Sequence, residues 1–284
     1  MKNSNNMKPI IGQIGMGWIG SNYAKDFEER GYEVIKYDVE KYIENKNKIC
    51  FCDIVFIAVP TPTTPEGFDY SIIDMVLNAV GKGKIAVIKS TILPGTTKKL
   101  QEKYPDIFLM HSPEFLTEAT AYYDVKNPCR NIIGVTEKSA SRAGEVMNVL
   151  PVAPYEKIMP AEEAELTKYG GNCWFYFKVV FMNMLYDLAK EMDIDYEVVR
   201  DAMAADKRIG RTHLDTVHKG GRGAGGHCFI KDMAAFMELY SQEVNDLRGM
   251  MALRHIRNKN VQLLKDSGKD LDLLEGVYGK INKN

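Results

Sequence analysis

At 284 residues, 45% hydrophobic and 26% charged, the chain has the balance of an ordinary globular protein with room for two domains. Its 37 Lys and Arg nearly offset 38 Asp and Glu, leaving a net charge of -1, so no global field draws it to nucleic acid or to an anionic membrane. The five cysteines, Cys50, Cys52, Cys129, Cys173 and Cys228, are odd in number and irregular in spacing, which excludes a disulfide scaffold and suits a reducing compartment.

Met1 to Lys8 is polar and rich in Asn, unlike a signal or transit peptide. From there to about Val135, apolar runs at Ile10–Ile14, Glu33–Tyr37, Ile54–Val59, Ile85–Ile88, Ile107–Met110 and Asn131–Gly134 alternate with stretches of helical length. Near-continuous Ile/Val strands separated by helices predict an α/β fold, a doubly wound parallel Rossmann sheet. Beyond Pro151 strands are expected to cease. Helices are expected over Ala161–Met192, Tyr196–Ala205, Leu247–Lys265 and Leu271–Tyr278, with a basic, glycine-rich loop from Lys207 to Gly226. The expected domains are therefore 1–155, Rossmann, and 156–284, all-helical. The apolar stretch Phe175–Tyr186 is broken by Lys178 and too short to span a bilayer, so a soluble, cytoplasmic protein is expected. Asn3–Asn6 and Asn282–Asn284 are expected to fray.

Gly15-Met16-Gly17-Trp18-Ile19-Gly20 directly follows the first strand and opens a helix expected over Ser21–Arg30. Such glycines permit a tight turn, close approach to a pyrophosphate and close helix–strand packing, and the helix start offers N–H groups to the phosphates. Asp38 ends the second strand, where a carboxylate accepts hydrogen bonds from ribose hydroxyls and repels a 2′-phosphate. The cofactor expected is NAD rather than NADP.

Four further segments stand out: Val59-Pro60-Thr61-Pro62, Ser90-Thr91-Ile92-Leu93-Pro94-Gly95-Thr96, Pro113-Glu114-Phe115-Leu116-Thr117-Glu118 and Gly225-Gly226-His227-Cys228-Phe229-Ile230-Lys231-Asp232. The first three follow strand ends, where open α/β sheets bind ligands. With Glu163-Ala164-Glu165 leading to Lys168 and Asn172, the set resembles the UDP-glucose/GDP-mannose dehydrogenase family, in order from residue 9 to about 236. The resemblance implies oxidation of a nucleotide sugar's primary alcohol to a carboxylate with two NAD+ and a cysteine, and no metal.

On that resemblance Cys228 is the nucleophile. Its place after two glycines, at an expected helix start, favours thiolate; the alternative is a small buried thiol. Lys168 and Asn172 share a helix face, with Asn183 near the same azimuth, and in so apolar a helix they need partners. The resemblance casts Lys168 and Asn172 as oxyanion donors; the alternative is a solvated stripe. Thr91, Glu118 and Asp232 are implied in proton transfer and water orientation, with helix capping as the alternative for Thr91 and Glu118. Beside the glycine turn and Asp38, the cofactor set includes Val59, Pro60, Thr61, Thr91, Glu118 and Lys231. The substrate set comprises Glu114, Phe115, Leu116, Thr117, Glu118, Lys168, Asn172, Gly221, Gly225 and Arg208. Arg208 resembles an arginine that reaches the sugar across a dimer interface, which implies a homodimer built on the long central helix. The basic stretch from Lys207 to Arg222 is read as a substrate contact.

The chain departs from the family pattern in three smaller ways. Met184 follows Asn183 where Glu is usual, His227 replaces a small residue, and extra residues separate Arg208 from the glycine loop. After residue 245 only helices are read, so a short form without the family's second, nucleotide-gripping domain is expected. The competing readings are a dehydrogenase of a smaller alcohol or hydroxy acid, against which Cys228 argues, and a non-catalytic NAD-binding subunit.

Overall fold

The computed structural model describes residues 8–279, so the ends expected to fray, 3–6 and 282–284, lie outside the described residues. The chain opens with β1 (Ile11–Ile14), α1 (Trp18–Glu29) and β2 (Val34–Tyr37), followed by a 3-10 segment over Ile43–Phe51 and β3 (Ile54–Ile57). A small hairpin, β4 (Thr63–Thr64) and β5 (Gly67–Phe68), leads to α2 (Ser71–Leu77), β6 (Ile85–Ile88), α3 (Thr96–Lys103), β7 (Phe108–His111) and α4 (Ala121–Lys126). Then come β8 (Asn131–Val135), α5 (Ala143–Val149), β9 (Glu156–Pro160), α6 (Ala161–Glu191) and α7 (Tyr196–Ala204). A second hairpin, β10 (Val217–His218) and β11 (Gly221–Arg222), precedes α8 (Gly226–Glu243), α9 (Leu247–Asp266) and α10 (Leu271–Tyr278).

Seven strands form one sheet in the order β2-β1-β3-β6-β7-β8-β9. Each adjacent pair is parallel except β7 and β8, which run antiparallel through Met110 opposite Val135 and His111 opposite Gly134. The sheet is thus mostly parallel, with one antiparallel step that sequence does not show, since apolar runs mark a buried strand without encoding its direction. The expectation that strands cease after Pro151 is corrected. β9 pairs parallel with β8 from Asn131–Glu156 to Val135–Pro160. It escapes an apolar-run reading because it is an exposed edge strand of sequence EKIMP.

Chain contacts divide the protein into two units: residues up to Thr61 with Asp69–Lys168, and Pro62–Phe68 with the chain from Tyr169. The first unit therefore extends past the boundary expected at 155. The start of α6 lies on the sheet so closely that a Cβ at Gly134 would stand 2.7 Å from the Ala164 Cβ. Its core joins Ile11, Phe27, Phe56, Val87, Met110 and Ile133, all fully or nearly fully buried. Phe27 and Phe56 meet with ring centroids 4.9 Å apart. Burying such side chains is the main drive for assembling a doubly wound sheet.

In the second unit the rest of α6 packs Tyr176 and Val180 against Met233 and Met237 of α8. The glycine-rich loop before α8 is fastened to α9, where Asn260 accepts from Ala224 N at 2.7 Å and donates to Ala224 O at 2.9 Å. Lys269 Nζ donates to Gly223 O at 3.0 Å.

Candidate active site

The three fingerprint glycines have separate reasons to be glycine. Gly15 has a φ of +84°, and a Cβ there would lie 2.2 Å from Ala58 O. A Cβ at Gly20 would lie 1.9 Å from Gly15 O, so glycine permits α1 to sit closely against the turn that follows β1. At Gly17 an added Cβ meets nothing within 4 Å, which leaves open space before the start of α1. Gly17 caps α1 without a side-chain hydrogen bond, so the first-turn N–H groups face that space as an anion cradle. Asp38 follows β2 and accepts from Met16 N at 2.6 Å and from Glu40 N at 3.0 Å. The carboxylate is thereby held beside the glycine turn.

The loops after β3 and β6 are tied together. Ser90 Oγ accepts from Val59 N and donates to Val59 O, at 3.0 and 2.7 Å, and Thr61 Oγ1 donates to Thr91 O at 2.8 Å. Val59, Pro60, Thr61 and Thr91 thus lie together at the carboxyl ends of parallel strands. Thr91 is no helix cap, since α3 begins only at Thr96 with Gly95 as its cap. Glu118 is exposed and opens a short 3-10 turn, and Thr117 provides no side-chain cap there.

Between β7 and α6 the first unit holds a buried polar cluster. Lys168 Nζ donates to Glu114 Oε1 at 2.7 Å and to Glu114 O at 2.8 Å, and Leu116 N donates to Glu114 Oε2 at 2.7 Å. Lys168 is 6% exposed, which rules out the solvated-stripe reading. Lys89 donates to Ser112 Oγ at 3.2 Å and lies over the Tyr23 ring at 4.3 Å. Burial pulls the Lys89 ammonium down to about 7, with Glu114 pulling the other way. His111, whose Nδ1 faces Ile88 O, is pushed down to about 3 by burial. Glu165 accepts from Gly95 N, Thr97 N and Thr97 Oγ1 at 2.7, 2.8 and 2.5 Å. Burial outweighs these bonds and lifts it to about 7. The roles of Lys89, His111 and Glu165 were not legible in sequence, because isolated polar residues at strand ends or helix starts read as surface.

In the second unit Cys228 is exposed and occupies the first turn of α8, with Asp232 one turn further on. Asp232 is 1% exposed and holds two donors, Asn172 Nδ2 and Lys231 Nζ, each at 2.6 Å. Burial keeps the Cys173 and Cys52 thiols protonated, each pushed up to about 12, with Asp232 adding to the effect at Cys173. Position and exposure separate Cys228 from these two inert thiols. Asn183 is partnered too: it donates to Val179 O and accepts from Arg222 Nε at 2.8 Å.

Gly221 and Gly225 have a packing reason to be glycine. A Cβ at Gly221 would lie 2.7 Å from the Lys269 Cβ, and one at Gly225 would lie 2.0 Å from Asp270 Oδ2. Asp270 also accepts from Gly226 N at 2.7 Å, capping the helix that bears Cys228, a role with no sequence signal. The basic stretch is not a field of unpaired charge. Arg208 pairs with Asp206, Arg211 with Asp201 and Asp215, and Arg222 with Asp187. Arg208 is 90% exposed.

The glycine turn, the anion cradle and Asp38 make the first unit a Rossmann dinucleotide-binding domain, and its residues fit NAD. Among the described residues no group of three His, Cys, Asp or Glu could hold a metal, and no helix is long and apolar enough to cross a membrane. Residues 42–150 match the NAD binding domain of the UDP-glucose/GDP-mannose dehydrogenase family, and residues 162–260 match its central domain. The chain belongs to that family.

A UDP-glucose 6-dehydrogenase of Pseudomonas aeruginosa is 34% identical over 232 residues, 74% of this chain and 49% of that protein. The UDP-glucose 6-dehydrogenase YwqF of Bacillus subtilis is 31% identical over 244 residues, covering 80% and 53%. The chain thus spans about half the length of these relatives. Among solved structures, a UDP-glucose dehydrogenase from Pyrobaculum islandicum superposes with a TM-score of 0.77 at 28% identity, over 94% of this chain and 72% of that one. A 3-hydroxyisobutyrate dehydrogenase from Mycobacterium tuberculosis shares the fold over 99% of its length, with a TM-score of 0.72 at 14% identity.

Proposed function

We propose that the protein oxidises the primary alcohol of a UDP-glucose-like nucleotide sugar to the carboxylate, through a covalent intermediate on Cys228. The observation that carries this reading is the placement of an exposed thiol on the first turn of α8, one turn from a buried Asp232 gripped by Asn172 and Lys231. A two-electron oxidation of a hydroxy acid needs no nucleophile, whereas an aldehyde must first gain one, and an exposed thiol can serve, before it can give up a hydride.

NAD, held at the glycine turn and Asp38, supplies the hydride acceptor for each of the two oxidations. Cys228 Sγ adds to the aldehyde carbon: the C–S bond forms as the C=O π bond opens, and the thiol proton ends on that oxygen, giving a thiohemiacetal. Once that carbon has lost its second hydride it is a thioester. Water attack then breaks the C–S bond, releases the carboxylate and returns the thiol. Lys168 uses two of its three N–H bonds on Glu114, and Asn172 Nδ2 uses one of two on Asp232, so each retains a donor for an oxyanion. Thr91 and Glu118 orient the attacking water, Asp232 moves the proton, and Lys231 serves the cofactor side. The segment Glu114–Glu118 holds the sugar, the backbone around Gly221 and Gly225 positions the Cys228 turn, and Arg208 comes from a second copy.

A homodimer through α6 is supported by Trp174, Phe181 and Leu188, exposed at intervals of seven residues, as on a helix face that meets another helix. Five cysteines outside any disulfide suit the cytoplasm. The test is a panel of UDP-, GDP- and CDP-sugars and simple hydroxy acids, each offered with NAD+ while NADH is followed. Turnover confined to nucleotide sugars supports the reading. Turnover of a hydroxy acid alone favours the smaller-substrate alternative, and NAD+ binding without any turnover favours a non-catalytic subunit.

A further inference from the structure

The single antiparallel step in the sheet delivers one residue to the ligand-binding edge. β8 enters where β7 leaves, so Arg130, immediately before β8, lies alongside the segment Glu114–Phe115 at the carboxyl ends of the parallel strands. Its guanidinium carbon is 3.7 Å from the centroid of the Phe115 ring. Lys168 Nζ lies 5.7 Å from the same ring. The first unit contains three arginines, Arg30, Arg130 and Arg142. Arg30 is ion-paired with Asp26 and Arg142 with Glu145, but Arg130 Nε is buried with no hydrogen-bond partner.

A planar guanidinium braced on an aromatic face, with a buried N–H left over, is equipped to take an oxyanion through two parallel hydrogen bonds. Open α/β sheets bind their ligands at this edge. We propose that Arg130 is an oxyanion-binding residue, with Phe115 as its platform. The group it takes offers two oxygens in one plane, either from the diphosphate of a nucleotide sugar or from the carboxylate of its oxidation product. The identity of those ligands rests on the proposed function; the anion site itself does not.

The experiment measures binding of inorganic pyrophosphate, UDP, glucuronate and UDP-glucuronate to the NADH-loaded chain by calorimetry, for wild type, Arg130→Lys and Arg130→Gln. The expected result is a loss of about tenfold or more in one arm for Arg130→Gln, diphosphate or carboxylate, with Arg130→Lys in between. NADH affinity should stay within about twofold. Should Arg130→Gln fail to fold, mapping of the wild type with an arginine-directed dicarbonyl gives the same answer. Modification of Arg130 should be blocked by the anion that binds. Equal anion affinity in all three proteins, no anion binding by wild type, or modification unaffected by any anion would overturn the proposal. Turnover of a nucleotide sugar with Arg130-independent binding would remove this site and keep the proposed function. Arg130-dependent anion binding without turnover would do the reverse.

Discussion

Lys168 is held by both ends of one residue, 2.7 Å from the Glu114 carboxylate and 2.8 Å from the Glu114 carbonyl, with both side chains almost wholly buried. The pair therefore carries structural weight in addition to any catalytic role. Removing one partner strands the other charge, so Lys168→Met should lower stability by about 3–5 kcal/mol. Lys168→Met combined with Glu114→Gln should recover a substantial part of that loss. Urea unfolding checks both; a single-mutant effect under about 1 kcal/mol would contradict the buried pair.

Lys89 gives the fold a pH dependence of definite sign. It faces Tyr23, Ser112, Glu114 and Lys168, and burial lowers its pKa in the folded state to about 7. Between that value and the ordinary lysine range the unfolded chain binds more protons, so this group's contribution to stability rises with pH from about 7 toward 10. Lys89→Met should raise stability near pH 6 by about 1–4 kcal/mol, an advantage that shrinks toward pH 10. Thermal melting across that range reads the slope. An unchanged slope in the variant would assign the titration to another group.

Asp38 is positioned by its bond from Met16 N at 2.6 Å, next to where a ribose 2′ position would lie. Asp38→Asn keeps an acceptor for Met16 while removing the charge that repels a 2′-phosphate. Its NADP+ affinity should rise by about tenfold or more relative to NAD+. Fluorescence titration with NADH and NADPH measures the ratio, and an unaltered ratio would place cofactor choice elsewhere.

Trp174 and Phe181 lie on the exposed stripe of α6. Phe181→Glu should yield monomers at micromolar concentration with an unaltered melting profile in the first unit, as read by sedimentation and calorimetry. If wild type itself sediments as a monomer, the role proposed for Arg208 of a second copy falls with the dimer.

The fold was legible wherever residue type and spacing carry the physics. Ile85–Ile88 and Leu271–Tyr278 were found to the residue, and α6 ends at Glu191, one short of the expected Met192. Strand direction was not legible, since β8 reads alike in either sense, and β9 has no apolar face to betray it. Gly15 and Gly20 have no room for a side chain, Asp38 lies beside the glycine turn and Cys228 is on the first turn of α8, the local placements that motif spacing predicts. The pairing of the basic loop was only partly legible, because Asp215 lies within it but Asp187 and Asp201 come from α6 and α7. Glu165 and Asp270 cap helices distant in sequence, over 70 and 44 residues, and tertiary pairing of that kind leaves no local signature.

If Cys228 carries a covalent stage, the number of NADH formed per sugar depends on its thiol. With limiting nucleotide sugar and excess NAD+, wild type should form about two NADH per sugar consumed, and Cys228→Ser should stop before completing the second oxidation. Full two-NADH turnover by Cys228→Ser, or a single NADH per molecule from wild type, would exclude a covalent stage on Cys228.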